Sequence, residues 1–306
     1  MSDTLLTRLP QCPICGVLVR KKSFTISGTE ILHRKNYILT IEERDWLAST
    51  TFPVMHCTGC GLYFHQFVPS ERLSEALYNR WIPLNSSLAK VQDNPVGYLY
   101  FLSYLLNIHG YYCKDNSSLH GRSLLEVGCG WGKFMEMAQL FGLQTSGVEY
   151  THEKLSYVRE KGMLAYLPEE LPTEATFDIV AMLQVLEHLP SPFDFVHQYA
   201  CRVKPGGLFI VEVPNCNHLA IRRILYRIVG REIFGAYQPL EHVNCFTSHS
   251  LDQLMSRVGF FRLRQSQRCI KTRLGIFCFR RSLVGMVAET ILGSTGRIYV
   301  RNNERH

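Results

Sequence analysis

The 306-residue sequence lacks the features of an exported or membrane-spanning protein. Its N-terminus, MSDTLLTRLP, has no basic segment followed by an apolar core, so no signal peptide is predicted. Residues 94–113, a stretch of 20 residues without Asp, Glu, Lys or Arg, are densely apolar only over Leu99–Leu106, which indicates a buried helix rather than a membrane span. These absences predict a cytoplasmic protein whose eleven cysteines are free thiols or metal ligands.

The sequence also has no internal repeat, no low-complexity tract and no block of one charge. Lys and Arg (33) outnumber Asp and Glu (26) by seven, a mildly basic balance that suits nucleic acid, an acidic lipid surface or a phosphorylated small substrate equally. The arginines of segment 220–231 (Arg222, Arg223, Arg227 and Arg231) form one basic helical face. A solvated surface is the simpler interpretation of that face, and binding of a diphosphate or contact with an anionic membrane surface is the alternative.

What is present, over residues 119–281, is an alternation of short apolar runs with helical periods. This alternation is typical of a parallel sheet with crossover helices. It predicts strands over 123–127, 143–148, 163–167, 177–182, 208–213 and 260–268, with a last strand over 297–301. It predicts helices over 71–79, 98–108, 133–141, 151–161 and 248–258, one from Ser191, and an inserted helix near 283–292.

A glycine-rich segment, Glu-Val-Gly-Cys-Gly-Trp-Gly over residues 126–132, joins the strand 123–127 to the next helix. Gly128, Gly130 and Gly132 allow the backbone to turn sharply and to approach a ligand without an intervening Cβ. Glu149 ends the following strand, where a carboxylate accepts hydrogen bonds from both ribose hydroxyls of a nucleoside. Strand, loop, helix, strand and acid in this order predict a nucleotide site.

The glycine spacing indicates which nucleotide binds. NAD sites use Gly-x-Gly-x-x-Gly, whereas this loop is Gly-x-Gly-x-Gly and follows an acid, Glu126. A carboxylate at that position is suited to orienting the loop or to meeting the ammonium group of S-adenosylmethionine. The pattern therefore favours a methyl-donor nucleotide over NAD.

Further segments extend the pattern. Phe177-Asp-Ile-Val180, Val185-Leu-Glu-His-Leu-Pro190 and Lys204-Pro-Gly-Gly207, together with the glycine loop and Glu149, resemble the class I S-adenosylmethionine-dependent methyltransferases over about 160 residues.

The resemblance implies a Rossmann-like sheet of seven strands with the last strand antiparallel. It also implies that the three loop glycines line the donor, that Glu149 holds the ribose, and that Gln184 and Glu187 lie near the donor. Residues 166–170, Tyr-Leu-Pro-Glu-Glu, depart from the acid that the family often places against adenine, so no adenine contact is predicted.

Four cysteines occur in two matching elements, Cys12-Pro-Ile-Cys15-Gly and Cys57-Thr-Gly-Cys60-Gly. Such turns direct both thiolates at one tetrahedral ion, and four thiolates leave no position for water, so the pattern predicts a structural zinc. The alternative is four free thiols, because the 41 residues between Cys15 and Cys57 exceed the usual ribbon loop.

This N-terminal arrangement is similar to that of the zinc-bearing sugar methyltransferases, including the nucleotide-sugar C-methyltransferases. The segment Pro239–Thr247 resembles their Glu-His-apolar-Asn/Ser-x-Phe-Ser/Thr element. The resemblance implies that His242 is the catalytic base, with Glu241 beside it, and histidine suits that role near neutral pH. His188, after the fourth strand, is a second candidate. Local packing or hydrogen bonding is the alternative role for either histidine.

We therefore expect a zinc-knuckle module over 1–68, a helical connector over 69–118 and a methyltransferase domain over 119–306. The predicted reaction is O- or C-methylation of an activated sugar or surface-glycan precursor. A zinc-bearing RNA methyltransferase is an alternative. It is disfavoured because Gln184-Val-Leu-Glu187 replaces Asp/Asn-Pro-Pro-Tyr and because no Pro-Cys dipeptide occurs. An inactive binding module with the same fold is the other alternative. The sequence does not predict the oligomeric state.

Overall fold

The computed structural model describes residues 5–82, 95–113, 118–228, 234–263, 268–272, 275–279 and 294–301. The chain forms two compact units. The first unit comprises residues 1–89, 186–195 and 214–254, and the second comprises residues 90–185, 196–213 and 255–306. Two later segments of the chain thus belong with the N-terminal residues, which the linear order of motifs did not suggest. The predicted domain boundaries at 68 and 118 stay predictions.

The regular elements are numbered along the chain. The strands are β1 Leu6–Arg8, β2 Lys22–Ser27, β3 Thr51–His56, β4 Tyr63–His65, β5 Phe67–Pro69, β6 Ser123–Val127, β7 Gln144–Val148, β8 Leu164–Tyr166, β9 Phe177–Leu183, β10 Val203–Pro214, β11 Asn244–Cys245, β12 Phe260–Arg262, β13 Arg268–Thr272, β14 Gly275–Phe279 and β15 Ser294–Arg301. The α-helices are α1 Gly28–Arg34, α2 Ile41–Ser49, α3 Glu71–Ala76, α4 Pro95–Tyr112, α5 Lys133–Leu140, α6 His152–Glu160, α7 Pro192–Ala200, α8 Leu219–Ile228 and α9 Ser248–Arg257.

The second unit is built on a seven-stranded sheet in the order β12-β15-β10-β9-β6-β7-β8. The neighbours from β10 to β8 pair in parallel, and β15 pairs antiparallel with β12. The inner strands are near-continuous apolar runs because helices cover both faces of a parallel sheet. The predicted seven-stranded, Rossmann-like sheet with an antiparallel last strand is confirmed.

The core of this sheet explains where the helices lie. Leu124 on β6 and Ile179 on β9 pack with Phe134 of α5 and with Tyr104 and Ile108 of α4, all nearly inaccessible to solvent. Each fully buried side chain of this size contributes roughly 1.5–3 kcal/mol to folding. The helical periodicity of α4 and α5 is therefore a direct consequence of the faces that they bury.

Two predicted elements differ from the structure. The strand expected over 260–268 ends at Arg262, and Arg268–Thr272 instead pairs with Gly275–Phe279 in a separate hairpin. The helix expected over 71–79 is α-helical only to Ala76 and continues as a π-helix over Leu77–Trp81. The predicted helix near 283–292 lies outside the described residues.

The first unit contains a four-stranded antiparallel sheet in the order β11-β4-β3-β2, together with the pair β1-β5. Thr40 begins α2 with a capping box: its hydroxyl accepts from Glu43 N, and the Glu43 carboxylate accepts from Thr40 N. Phe52, Val54 and Trp81 are buried in one apolar cluster of this unit. Within the described residues, no helix is both long enough and apolar enough to span a membrane.

Candidate functional site

The glycine-rich loop of the second unit turns on its own backbone. Gly128 N and Cys129 N donate to the Val148 carbonyl at 2.8 and 3.0 Å, and Gly132 N donates to the Cys129 carbonyl at 2.9 Å. Gly128, Gly130 and Gly132 have φ values of 73°, 54° and 72°, in the left-handed region that glycine adopts without steric penalty. The loop therefore needs glycine at these three positions.

The three glycines differ in what surrounds them. A Cβ on Gly128 would lie 2.7 Å from Val185 Cγ2, and one on Gly132 would lie 2.7 Å from Met163 Cε. Among the described residues, no atom would lie within 4 Å of a Cβ on Gly130. Gly130 thus faces open space, whereas the other two glycines allow close packing of the loop.

Glu149 fixes this loop from the end of the neighbouring strand. Its Oε2 accepts a hydrogen bond from Gly130 N at 2.9 Å, and its Oε1 accepts from Tyr150 N and Thr151 N at 2.9 Å each. The side chain is buried, with 6% of the residue exposed. Since each carboxylate oxygen has two lone pairs, Oε2 retains capacity for a ligand hydroxyl.

Glu126 lies at the carboxyl end of the adjacent strand and is also buried. Burial first, and then the negative charge of Glu149, raise the pKa of Glu126 well above its usual value. Its Oε2 has no hydrogen-bond partner among the described residues. A cation placed against these two carboxyl groups would offset both the burial of the Glu126 charge and its repulsion by Glu149.

Gln184 has a strained backbone and a bound side chain. Its φ of 58° is uncommon for a residue other than glycine. Its Nε2 donates to Glu212 Oε1 at 3.0 Å, and the Tyr104 hydroxyl donates to Glu212 Oε2 at 2.5 Å. Sequence reasoning missed Glu212, although a single acid in an otherwise apolar strand end is the same signal that identified Glu149.

A second polar cluster lies in the first unit and contains Glu187, His188 and His242. One ligand atom from each of these residues lies within 4.8 Å of those from the other two. His188 Nδ1 is 2.7 Å from the Glu241 carbonyl, and since a carbonyl only accepts, Nδ1 carries the proton and the lone pair is on Nε2. That Nε2 lies 3.9 Å from Glu187 Oε1. The predicted pair of histidines is thus brought together, with ring centroids 4.8 Å apart.

His242 is the more enclosed of the two imidazoles. Its Nδ1 is buried without a hydrogen-bond partner among the described residues. Burial, followed by the nearby His188, lowers the pKa of His242 to about 3, and the negative charge of Glu241 opposes that shift. His242 is therefore a neutral imidazole at physiological pH.

Glu241 is occupied by partners of its own. Its Oε1 accepts from Lys35 Nζ at 2.9 Å, from the Tyr37 hydroxyl at 2.6 Å and from Gln238 Nε2 at 2.5 Å. Burial raises its pKa, but the hydrogen bond from Tyr37 and the charge of Lys35 outweigh burial and hold the pKa below its usual value. Its carboxylate holds the turn in place, and its carbonyl orients His188.

Asn244 joins the two segments that carry the histidines, and sequence reasoning missed it. Its Nδ2 donates to the Leu189 carbonyl at 2.5 Å and to the Leu186 carbonyl at 3.4 Å. The short helix Leu186–His188 is thereby tied to β11. The only sequence signal was the position of Asn244 within the Glu-His-apolar-Asn element.

The four N-terminal cysteines of the first unit converge as predicted. Cys12 Sγ lies 3.5 Å from Cys60 Sγ, Cys15 Sγ lies 3.4 Å from Cys57 Sγ, and all four sulfurs are within 4.8 Å of one another. Tetrahedral zinc with bonds of about 2.3 Å requires sulfurs roughly 3.8 Å apart, so the four thiols fit this ion.

The two cysteine turns are near-copies of each other. In each, the glycine N–H donates to the carbonyl of the first cysteine, at 2.9 Å for Gly16 and 2.8 Å for Gly61. Both glycines have positive φ, at 72° and 75°. These are the residues that hold the ion if the chain binds zinc.

Segment 220–231 differs from the predicted basic face where its side chains are described. Arg222 donates to the Asn215 carbonyl at 2.7 Å, and Arg223 stacks over the Phe24 ring and lies 3.7 Å from Glu30. The exposed residues are Ile221 and Ile224. These two arginines therefore contact the protein, and the side chains of Arg227 and Arg231 lie outside the described residues.

Comparison with known proteins identifies the family. A family described as "Methyltransferase domain" matches residues 102–264, just over half of the chain. The chain belongs to this family, and its glycine loop and Glu149 lie within the matched residues. The cysteine cluster lies outside the matched residues.

Curated relatives are named ubiquinone biosynthesis O-methyltransferases. The protein from Vibrio parahaemolyticus is 31% identical over 176 residues, which cover 54% of this chain and 69% of the relative. The protein from Bordetella bronchiseptica is 32% identical over 133 residues, which cover 40% and 54%. The chain thus spans 54% of the length of one of these relatives and 69% of the other. They do not confirm the predicted kinship with zinc-bearing sugar methyltransferases.

Among solved structures, magnesium protoporphyrin IX methyltransferase from Synechocystis, with bound S-adenosylhomocysteine, is 16% identical. The match covers 66% of this chain and 84% of that chain, with a TM-score of 0.42. A likeness at this level carries no argument about function.

Proposed function

We propose that the protein transfers the methyl group of S-adenosylmethionine to a hydroxyl group of a small-molecule acceptor. The observation that carries this proposal is the combination of the glycine loop, open at Gly130, with the buried carboxylate of Glu149. In the transfer, the acceptor oxygen attacks the methyl carbon and S-adenosylhomocysteine leaves. The hydroxyl proton passes to a base.

The charge of the loop region favours this donor over an anionic nucleotide. Glu126 and Glu149 are buried at the ends of adjacent strands, and the hydrogen bonds to Glu149 come from backbone N–H groups. Together, these two carboxyl groups disfavour the diphosphate of NAD, which would raise the pKa of Glu126 still further. They complement the sulfonium and ammonium charges of S-adenosylmethionine.

The relatives' names and the N-terminal cysteine pattern both suggest a small-molecule acceptor, but they suggest different classes of molecule. The relatives' names favour oxygen over carbon as the atom methylated. The N-terminal cysteine pattern suggested an activated sugar, which no relative's name supports. We therefore propose a hydroxyl acceptor, with a sugar and an aromatic ring as the two classes to be compared.

We further propose that the histidines act on the acceptor, with His242 as the base and His188 as the second contact. Glu241 is a positioning residue in this proposal because its carboxylate is held by Lys35, Tyr37 and Gln238. The four cysteines hold a structural zinc. Gln184 and Glu187 remain proposed donor contacts.

Calorimetry tests the donor site directly. Wild-type protein should bind S-adenosylmethionine, and Gly130→Arg should abolish binding because its side chain fills the open space. Gly121→Arg is the matched control, since Gly121 also has positive φ (83°) and open surroundings but precedes β6 at the opposite edge of the sheet. Absence of heat from the wild type would overturn the proposal and favour an inactive binding module.

The acceptor class requires a turnover assay. Labelled S-adenosylmethionine is incubated with nucleotide sugars, with hydroxylated aromatic compounds and with RNA, and the methylated product is identified by mass spectrometry. Transfer to a small-molecule hydroxyl supports the proposal. Transfer to RNA alone, with affinity that falls steeply as salt is raised, would establish the RNA alternative instead.

A further inference from the structure

The cluster of Glu187, His188 and His242 has the composition of a metal site. It contains two imidazoles and one carboxylate, contributed by two segments of the first unit, with ligand atoms within 4.8 Å of one another. Zinc and other first-row cations bind such groups at about 2.0–2.2 Å. The 3.9 Å between His188 Nε2 and Glu187 Oε1 would need to close by less than about 1 Å to meet one ion.

The group behind His188 has the arrangement found around bound metals. A histidine that ligates a metal through one ring nitrogen donates its other N–H to a carbonyl, a carboxylate or water, which fixes the tautomer and the ring plane. His188 donates Nδ1–H to the Glu241 carbonyl at 2.7 Å. The His188 imidazole is thus held from behind by main chain, with Nε2 directed towards Glu187.

Charge and burial point in the same direction. Glu187 is fully buried, and the other two members of the cluster are imidazoles, which offer nitrogen lone pairs. A buried carboxylate beside nitrogen donors favours a cation. His188, with 31% of its side chain exposed, provides a route by which an ion can enter.

The donor set also indicates which ion binds. Imidazole nitrogen favours zinc, cobalt, iron or manganese over magnesium and calcium, which prefer oxygen. Three protein ligands leave at least one coordination position open, unlike the closed set of four thiolates. The two sites of the first unit therefore differ in both donor atoms and accessibility.

We propose that Glu187, His188 and His242 bind one divalent first-row cation, with an open position for an oxygen atom of the methyl acceptor. This cation site adds to the function proposed above. Only the assignment of the oxygen atom to the methyl acceptor rests on that function. A cation held there would lower the pKa of the acceptor hydroxyl, and the hydroxyl proton would pass to water. His242 would then act through the cation, in place of the direct role as base proposed above.

Cobalt(II) is the probe, because its visible bands report the donor atoms. The full-length protein is first loaded with one equivalent of zinc to fill the thiolate site and is then titrated with Co²⁺ up to 1 mM. We expect one further ion per chain, with visible d–d bands and no thiolate charge-transfer band. His242→Ala and His188→Asn should each weaken Co²⁺ binding by at least about 100-fold. His249→Ala, which removes an exposed histidine of the same unit, should bind Co²⁺ as the wild type does.

Two outcomes would overturn the cation site: no Co²⁺ bound by folded wild-type protein, or equal binding by the histidine variants. Neither outcome depends on whether a variant folds, because the first uses the wild type alone and the second requires binding to occur. Calorimetry with S-adenosylmethionine on the same samples separates the two proposals. Donor binding without Co²⁺ binding removes only the cation site, and Co²⁺ binding without donor binding removes only the methyl-transfer function.

Discussion

The glycine-rich loop of the second unit and the histidine cluster of the first unit are both organised by main chain, but over very different distances along the sequence. Glu149 accepts from Gly130 N, 19 residues away, and from the next two residues. His188 depends on the Glu241 carbonyl, 53 residues away, and Glu241 depends on Lys35, 206 residues away.

This difference has a physical cause. A phosphate- or nucleoside-binding loop needs only a strand, a turn and a helix that are consecutive in the chain. A cluster of side chains needs several long-range contacts to form together. A single contact is too weak to offset the conformational entropy that is lost when the side chains are ordered. The donor loop is therefore locally encoded, and the histidine cluster is a property of the whole first unit.

Substitution of His242 should have the largest effect, and it tests whether the histidine cluster and the donor loop act independently. His242→Ala should reduce kcat by about 100-fold to 10 000-fold, the range for loss of a group that promotes removal of the acceptor proton, directly or through a bound cation. Its affinity for S-adenosylmethionine should stay within about twofold of the wild type. The measurement combines steady-state kinetics with donor calorimetry. Unchanged turnover would remove His242 from the reaction.

Removal of the thiolate site should have the next largest effect. Cys60→Ser should lose zinc and lower the free energy of unfolding by about 4 kcal/mol when free zinc is about 1000 times Kd for the wild type. Urea unfolding with added zinc or with a chelator measures this difference. Cys201→Ser, at an exposed cysteine, is the control and should not respond to zinc. A wild type indifferent to chelation would contradict the zinc site.

Much of the second unit could be predicted from sequence. Strands such as Ser123–Val127 were predicted to the residue, because a parallel sheet covered on both faces demands continuous apolar runs. The cysteine turns could also be predicted from the sequence, since Gly16 and Gly61 occupy the positions at which each turn requires a positive φ. Both features are encoded within a few residues.

Other features could not be read in this way. Nothing in the local sequence shows that Asn244 holds Leu186–His188, or that Lys35 and Tyr37 occupy Glu241, because those contacts bridge distant segments. Likewise, Arg223 looked like part of a basic surface but stacks on Phe24. Periodicity locates a helical face without saying what the rest of the chain places against it.

A substitution in the donor loop should have a smaller effect, and it tests how the loop, in contrast to the histidine cluster, binds the donor. Glu149→Ala removes the acceptor of three backbone N–H groups and the proposed ribose contact, so donor affinity should fall about 100-fold, equivalent to about 3 kcal/mol. Calorimetry measures the loss, and Glu153→Ala, at an exposed glutamate on the next helix, is the control. Equal affinity of Glu149→Ala and wild type would mean that the ribose lies elsewhere.

The smallest predicted effect concerns pH and His65 of the first unit. Burial lowers the pKa of folded His65 to about 4, against a hydrogen bond to the Tyr237 carbonyl, while the unfolded residue titrates near 6.5. Protons therefore bind the unfolded chain more tightly between these values. Titration of His65 therefore has no effect on the free energy of unfolding above pH 6.5. It lowers that free energy by about 2 kcal/mol at pH 5.

Urea unfolding at pH 7.5 and pH 5 measures this dependence. His65→Gln cannot titrate, so its loss of stability over this range should be smaller than that of the wild type by about 2 kcal/mol. The same loss in both proteins would assign the pH dependence to other groups.

A crystal structure of the protein with S-adenosylhomocysteine tests the central claim most directly. The nucleoside is expected to occupy the open space at Gly130, with its ribose hydroxyls at hydrogen-bonding distance from Glu149. If the compound saturates the protein in solution but binds away from this loop in the crystal, the proposed donor site is wrong.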